Sequence, residues 1–417
     1  MSKKFKLLGM TTMLSMMFVS CSNDELKEAY QGEEILFTTK VGASRANVIT
    51  NANDLESFYV YARHASNPMF IEHEKATRVD VNDAGTSQYK LENSYLWPEG
   101  ASEVQFWAYG PTSIDKPIVG GDEVLHFDHF EPKKDVTQQE DLVLAYTPAK
   151  EADGTAVALT FNHALSQIEI NAKCSSKNKH VKIKGAWIVN LHGSGALAFD
   201  KEETSHEEYF HTKWTNLGEA QTYYGSEFGY IQLDENYKGL LDYKNKRNMM
   251  LIPQDITPLS FDDGGKANGG AYILLLCRIE EHHDFVYTPG EDENEGVVDS
   301  GELEGKPYHH HQLFPIIGDK YDPNAYGYTC VPLTVPADDK GVVNKWKPGK
   351  KYVYNLEFCG LGSGGGITPP QVPDGLPEGE QGDKPGKPVL NDPISFTVTV
   401  NKWSEITSGD TNLSRQN

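Results

Sequence analysis

Short runs rich in β-branched and aromatic residues recur along almost the whole chain, each bounded by Gly, Pro, Asn or Asp. They include ESFYVYARH (56–64), VQFWAYGP (104–111), EDLVLAYTP (140–148), AVALTFNHALSQIEINAKC (156–174) and HVKIKGAWIVNLHGSGALAF (180–199). NMMLIPQ (248–254), GGAYILLLCRI (269–279), YTCVPLTVP (328–336) and KPGKKYVYNLEF (347–358) continue the pattern in the second half. No amphipathic helical segments alternate with them, so the pattern predicts an all-β chain built of sandwiches rather than a doubly wound sheet. The 21 Tyr, 17 Phe, 38 Gly and 22 Pro agree with many strands joined by turns.

The 417 residues suffice for two or three domains with real cores. Two β domains are expected, at 33–175 and 180–360, with the boundary inside CSSKNKH (174–180). The Gly/Pro tract 361–393 cannot build a core and reads as an extended, flexible linker. Beyond it, residues 394–403 form one more strongly alternating strand, with Ile394, Phe396, Val398 and Val400 on a single face. A formal net charge of -22 opposes binding to phosphate backbones, which excludes nucleic acid as an expected partner.

Residues 1–20 read as an address rather than structure: Lys3, Lys4 and Lys6 precede an apolar run, Leu7 to Val19, too short to span a bilayer comfortably. Ser20 then stands directly before Cys21, which resembles a bacterial lipoprotein cleavage site, with Phe18 where Leu is commoner. Cys21 is therefore the expected lipidation site, and residues 21–32 a polar tether to the cell outer membrane. Cys174, Cys277, Cys330 and Cys359 have no metal-knuckle spacing, and three disulfide connectivities remain open among them.

The two ends of the chain carry a repeat. ILFTTKV (Ile35 to Val41) and ISFTVTV (Ile394 to Val400) share Ile-x-Phe-Thr-x-x-Val. As strands, the first presents Ile35, Phe37, Thr39 and Val41 to one side and the second presents Ile394, Phe396, Val398 and Val400, so both fit one groove. Arg45 follows in GASRAN, a small polar stretch of the kind that proteases cut. Cleavage there would remove the first strand and leave a groove that another chain's terminal strand could complete.

The lipoprotein start, EILFTTKVGASRA, EDLVLAYTPAKEADGTAVALTFNHALSQIEI, LIPQ, KYVYNLEF and PISFTVTVNKW together resemble the fimbrillin (Mfa-like) family of Bacteroides-type surface proteins. The most specific piece is Leu159 to Ser166 with Ile168 and Ile170. The resemblance implies two tandem transthyretin-like β-sandwich domains, lipoprotein export, trimming after an arginine and assembly with other fimbrial subunits. It implies no catalysis and no cofactor. The length of the 360–393 tract departs from a simple donor arm.

Other chemistry is represented in the sequence only by weak patterns. Gly360, Gly362 and Gly365 match a dinucleotide fingerprint, but ITPPQVP follows and cannot open the helix that would hold a pyrophosphate. The run Glu291–Glu302 has calcium-loop spacing with Glu in place of Asp and reads as a solvated acidic loop. His309, His310 and His311, near His282 and His283, read as an exposed loop, and no metal site is expected. His163 lies in an apolar strand without a nucleophile motif, and Trp97, Trp107, Trp187 and Trp214 are expected in cores. Two functions stay open: a fimbrial subunit or adhesin with a host or bacterial surface ligand, and a glycan-binding surface lipoprotein of a nutrient-uptake system.

Overall fold

A computed structural model describes residues 34–41, 55–64, 68–81, 87–120, 125–150, 156–199, 212–215, 217–241, 248–284, 297–303, 306–316, 322, 324–338 and 341–402. These residues form 22 strands, numbered here in chain order, with only short 3-10 turns besides. The all-β expectation holds.

The first body is a closed barrel of β1 (Leu36–Val41), β4 (Ser87–Leu91), β3 (Ile71–Val81), β2 (Ser57–His64), β5 (Val104–Gly110), β8 (Val143–Ala149) and β9 (Ala156–His163), in that order around the wall. Closure depends on β1, which pairs antiparallel to β4 and parallel to β9. Alternation sends Phe37, Phe58, Phe106 and Phe161 into a common interior with Tyr89 and Trp97. A sandwich was expected here; β1 joins the outer strands and turns it into a barrel.

On β2 and β5 the opposite face is apolar too, with Tyr61, Trp107 and Tyr109 buried outside the barrel. A small sheet covers them, in the order β13 (Thr212–Thr215), β12 (Gly195–Phe199), β7 (Leu125–Phe130) and β6 (Ile118–Val119). This layer joins the barrel to the second body, which explains why those strands read as continuous apolar runs rather than strict alternations. At the same junction, His163 Nδ1 lies 2.8 Å from Asp141 Oδ2, and both side chains are buried. The partner supports a structural role for this histidine.

The second body stacks two sheets. One runs β15 (Lys238–Gly239), β10 (Ser166–Cys174), β21 (Lys350–Phe358) and β22 (Ser395–Lys402), with β16 (Met249–Leu251) also on β10. The other runs β14 (Ala220–Gln232), β11 (Lys179–His192), β17 (Tyr272–Asp284), β19 (Lys306–Phe314) and β18 (Val297–Leu303), with β20 (Gly327–Pro332) also on β17. The chain changes body between His163 and Ser166, so residues 166–174, placed with the first domain by sequence, pair in the second. Their apolar alternation suits either partner, and only the parallel ladder to β21 decides. The histidine run belongs to strands rather than a loop, with His282 opposite His310 and His283 opposite His309.

Arg278 fills a break in the second sheet. Strand β17 changes partner there, from β20 at Cys277 to β19 at Ile279. The buried guanidinium pairs with Glu280, donates to the carbonyls of Asp322 and Ala325 and to Gln312 Oε1, and so supplies donors where the ladder stops.

The tract 361–393, expected as a flexible linker, lies folded as a strap across the outer face of this sheet. Ile367, Val372 and Leu376 cover an apolar layer of Trp187, Tyr272, Leu274, Leu276 and Tyr328. Tyr272 and Tyr328 hydroxyls donate to the carbonyls of Gln371 and Pro377, each at 2.6 Å, and Cys330 N–H donates to Ile367 O at 2.8 Å. The prolines that rule out a strand ladder leave carbonyls free, and tyrosines on the sheet supply the donors. Glycine serves close approach here: a Cβ on Gly364 would stand 2.0 Å from Asp392 O, and Gly366 has φ +97.

Candidate functional site

Strand β1 occupies a slot with two walls. Phe37 lies opposite Tyr89 of β4 and Val157 of β9, and Thr39 lies opposite Ser87 and Leu159. The side chains of Ile35, Phe37 and Thr39 are 1%, 0% and 1% exposed, so all three lie in the interior. Phe37 meets Phe106 and Phe58 edge-on, with ring centroids 5.6 and 6.3 Å apart. Val41 ends the strand opposite Phe161. Lifting β1 out would open the barrel, bare the backbone edges of both β4 and β9, and uncover the phenylalanine cluster.

A polar clasp holds the start of the strand at the rim. Glu34 accepts from Ser94 Oγ at 2.7 Å and pairs with Lys90 Nζ at 3.0 Å. The Ser94 hydrogen bond, aided by Lys90, holds the Glu34 carboxyl below its usual pKa. Tyr89, at the middle of the β4 wall, is fixed by its hydroxyl donating to Leu55 O at 2.5 Å.

The matching strand at the other end is held differently. β22 pairs antiparallel with β21 of its own chain, and no described strand pairs with its other edge. Ile394 is buried, Phe396 and Val398 are half-buried, and Val400 is 40% exposed. The positions that are interior at Ile35, Phe37 and Thr39 of β1 are therefore progressively uncovered at Ile394, Phe396 and Val398 of β22. Cys21 and Arg45 lie outside the described residues.

The structure adds what the sequence alone left out. The slot's walls come from β4 and β9, and the second includes Leu159, Thr160 and Phe161, singled out earlier only as a distinctive motif. Parallel pairing to a strand more than 100 residues away leaves no local signature. Among the described residues no group of three or more His, Cys, Asp or Glu is placed to hold a metal ion. Gly360, Gly362 and Gly365 sit where the chain leaves β21 for the strap, without a helix behind them.

Comparison with curated proteins gave no match. Among solved structures the chain is similar to a candidate cell adhesion protein from Bacteroides uniformis, at 13% identity and TM-score 0.39, covering 89% of this chain and 99% of that one. A candidate cell adhesion protein from Parabacteroides distasonis gives 10% identity and TM-score 0.43, with 89% and 99% covered. The tip fimbrial protein Mfa3 from Porphyromonas gingivalis, truncated at its C-terminus, gives 9% identity and TM-score 0.33, again with 89% and 99% covered. The model of the fimbrillin-like family matches residues 44–295, which takes in most of the barrel, the junction sheet and a large part of the second body. With that match running over more than half of its length, the chain belongs to the fimbrillin-like family.

Proposed function

We propose that the protein is a structural or adhesive subunit of cell-surface fimbriae that polymerises by strand donation. The chain is exported with residues 1–20 as its signal, is acylated at Cys21 and reaches the outer membrane surface through residues 21–32. Cleavage after Arg45 frees β1, and the Ile394–Val400 strand of a neighbouring subunit takes the vacated slot. Other fimbrial subunits are thus the partners, and an adhesive ligand on a host or bacterial surface is engaged elsewhere.

The observation that carries this reading is the unequal burial of one repeated motif. The motif's Ile35 and Phe37 are interior in β1, and the same motif lies on an edge strand with its apolar face partly open. Transfer of Phe396, Val398 and Val400 into a closed slot completes burial that β21 leaves unfinished, stabilising the joint by on the order of 2–4 kcal/mol beyond their present contacts. The strap need not unravel. With residues 361–393 seated, a freed β22 extends roughly 25 Å from its root, against a slot of roughly 20 Å.

The test uses a chain lacking residues 391–417, trimmed after Arg45 and mixed with the uncut whole protein. The truncated chain should accept a strand and cap the whole protein as a dimer, and by itself should remain monomeric by light scattering. Self-polymerisation of the trimmed, truncated chain would refute donation by this strand.

A further inference from the structure

The two copies of the motif differ at one inward position. Ile35, Phe37 and Val41 recur as Ile394, Phe396 and Val400, whereas Thr39 is matched by Val398. Thr39 is 1% exposed, and its Oγ1 makes no hydrogen bond among the described residues. Threonine and valine nearly coincide in shape, so the buried hydroxyl is the whole difference. A hydroxyl taken from water without a partner is destabilising, and valine at the same place carries no such penalty.

We propose that this position biases the slot toward the incoming strand: Thr39 makes the resident strand the weaker occupant and Val398 makes the donor the stronger one. The inference rests on strand donation as proposed above. Before cleavage β1 is tethered to its own barrel, and the high effective concentration of a tethered segment outweighs a modest difference in affinity. After cleavage that advantage is gone. The hydroxyl then decides which of two otherwise similar strands remains, so that one cut commits the subunit to assembly in one direction.

Two measurements test the bias. In the first, the full chain trimmed after Arg45 is titrated with fluorescent peptides of residues 391–403, wild type and Val398→Thr. The substitution should weaken binding about tenfold, equal to about 1.4 kcal/mol. In the second, Thr39→Val in the uncut chain should raise the unfolding midpoint of the barrel. Equal affinity of the two peptides, or a Thr39→Val barrel no more stable than wild type, overturns the bias while leaving strand donation standing. If neither peptide binds the trimmed chain, strand donation itself falls and the bias falls with it.

Discussion

Truncating the two matched phenylalanines gives a paired test of how differently the structure uses one motif. Phe37 has no exposed surface and contacts Phe58 and Phe106 edge-on inside the barrel. Phe37→Ala removes a ring from a closed interior, which costs about 3–5 kcal/mol. Phe396 is half-buried on an edge strand, so Phe396→Ala should cost less than half as much, on the order of 1–2 kcal/mol. Urea unfolding followed by tryptophan fluorescence separates them. Trp97 and Trp107 line the barrel strands, and Trp187 and Trp346 are buried in the second body. With a urea slope of about 2 kcal/mol/M, Phe37→Ala should lower the barrel midpoint by about 2 M and Phe396→Ala the sandwich midpoint by less than about 1 M. A loss below about 1 kcal/mol for Phe37→Ala, or equal losses for both, would show that β1 is not an integral wall of the barrel.

Other perturbations read other parts of the account. Tyr328→Phe deletes the hydroxyl that donates to Pro377 O; a loss of about 0.5–1.5 kcal/mol in local strap stability should appear as faster proteolysis and hydrogen exchange across 372–381. Arg278→Leu leaves Glu280 buried without its guanidinium partner and should cost about 3–5 kcal/mol, whereas Arg278→Leu combined with Glu280→Gln should recover part of it, as thermal unfolding would show. The Glu34 carboxyl has a lower pKa folded than unfolded, so its contribution is fully present above the usual carboxylate value of 4.5 and is lost as pH falls through the lowered value. Glu34→Gln should therefore destabilise the barrel slightly near pH 7, by a few tenths of a kcal/mol for so exposed a clasp, and the difference from wild type should vanish in acid.

Alternation made much of the fold legible. Ile35, Phe37 and Thr39 face one way because strands have a period of two, and the sequence alone sufficed to align them with Ile394, Phe396 and Val398. What alternation cannot carry is the identity of the neighbouring strand. Residues 166–174 have an apolar stripe that suits either body, and only pairing with Lys351–Phe358 assigns them to the second. The strap misled for a different reason. Its Gly and Pro residues cannot form a core of their own, yet they lie on one made by Trp187, Tyr272 and Tyr328, and the two tyrosine hydroxyls answer carbonyls that a proline-rich segment leaves unpaired. The polar run His309–His311 carries no apolar alternation of the kind that marks a strand, and only its pairing with β17 on one side and β18 on the other places it in the sheet.

Cross-linking between subunits tests the central claim most directly. Gln88 lies opposite Thr38 on the β4 wall, Thr397 matches Thr38 in the repeated motif, and both Gln88 and Thr397 are exposed. One population carries Gln88→Cys and the other Thr397→Cys, and the mixture is oxidised before and after trimming at Arg45. Strand donation in the matched register predicts a disulfide-linked pair that forms only after trimming and is abolished by Arg45→Ala. Efficient linkage without trimming, or polymers that assemble after trimming while these two positions never join, would contradict it.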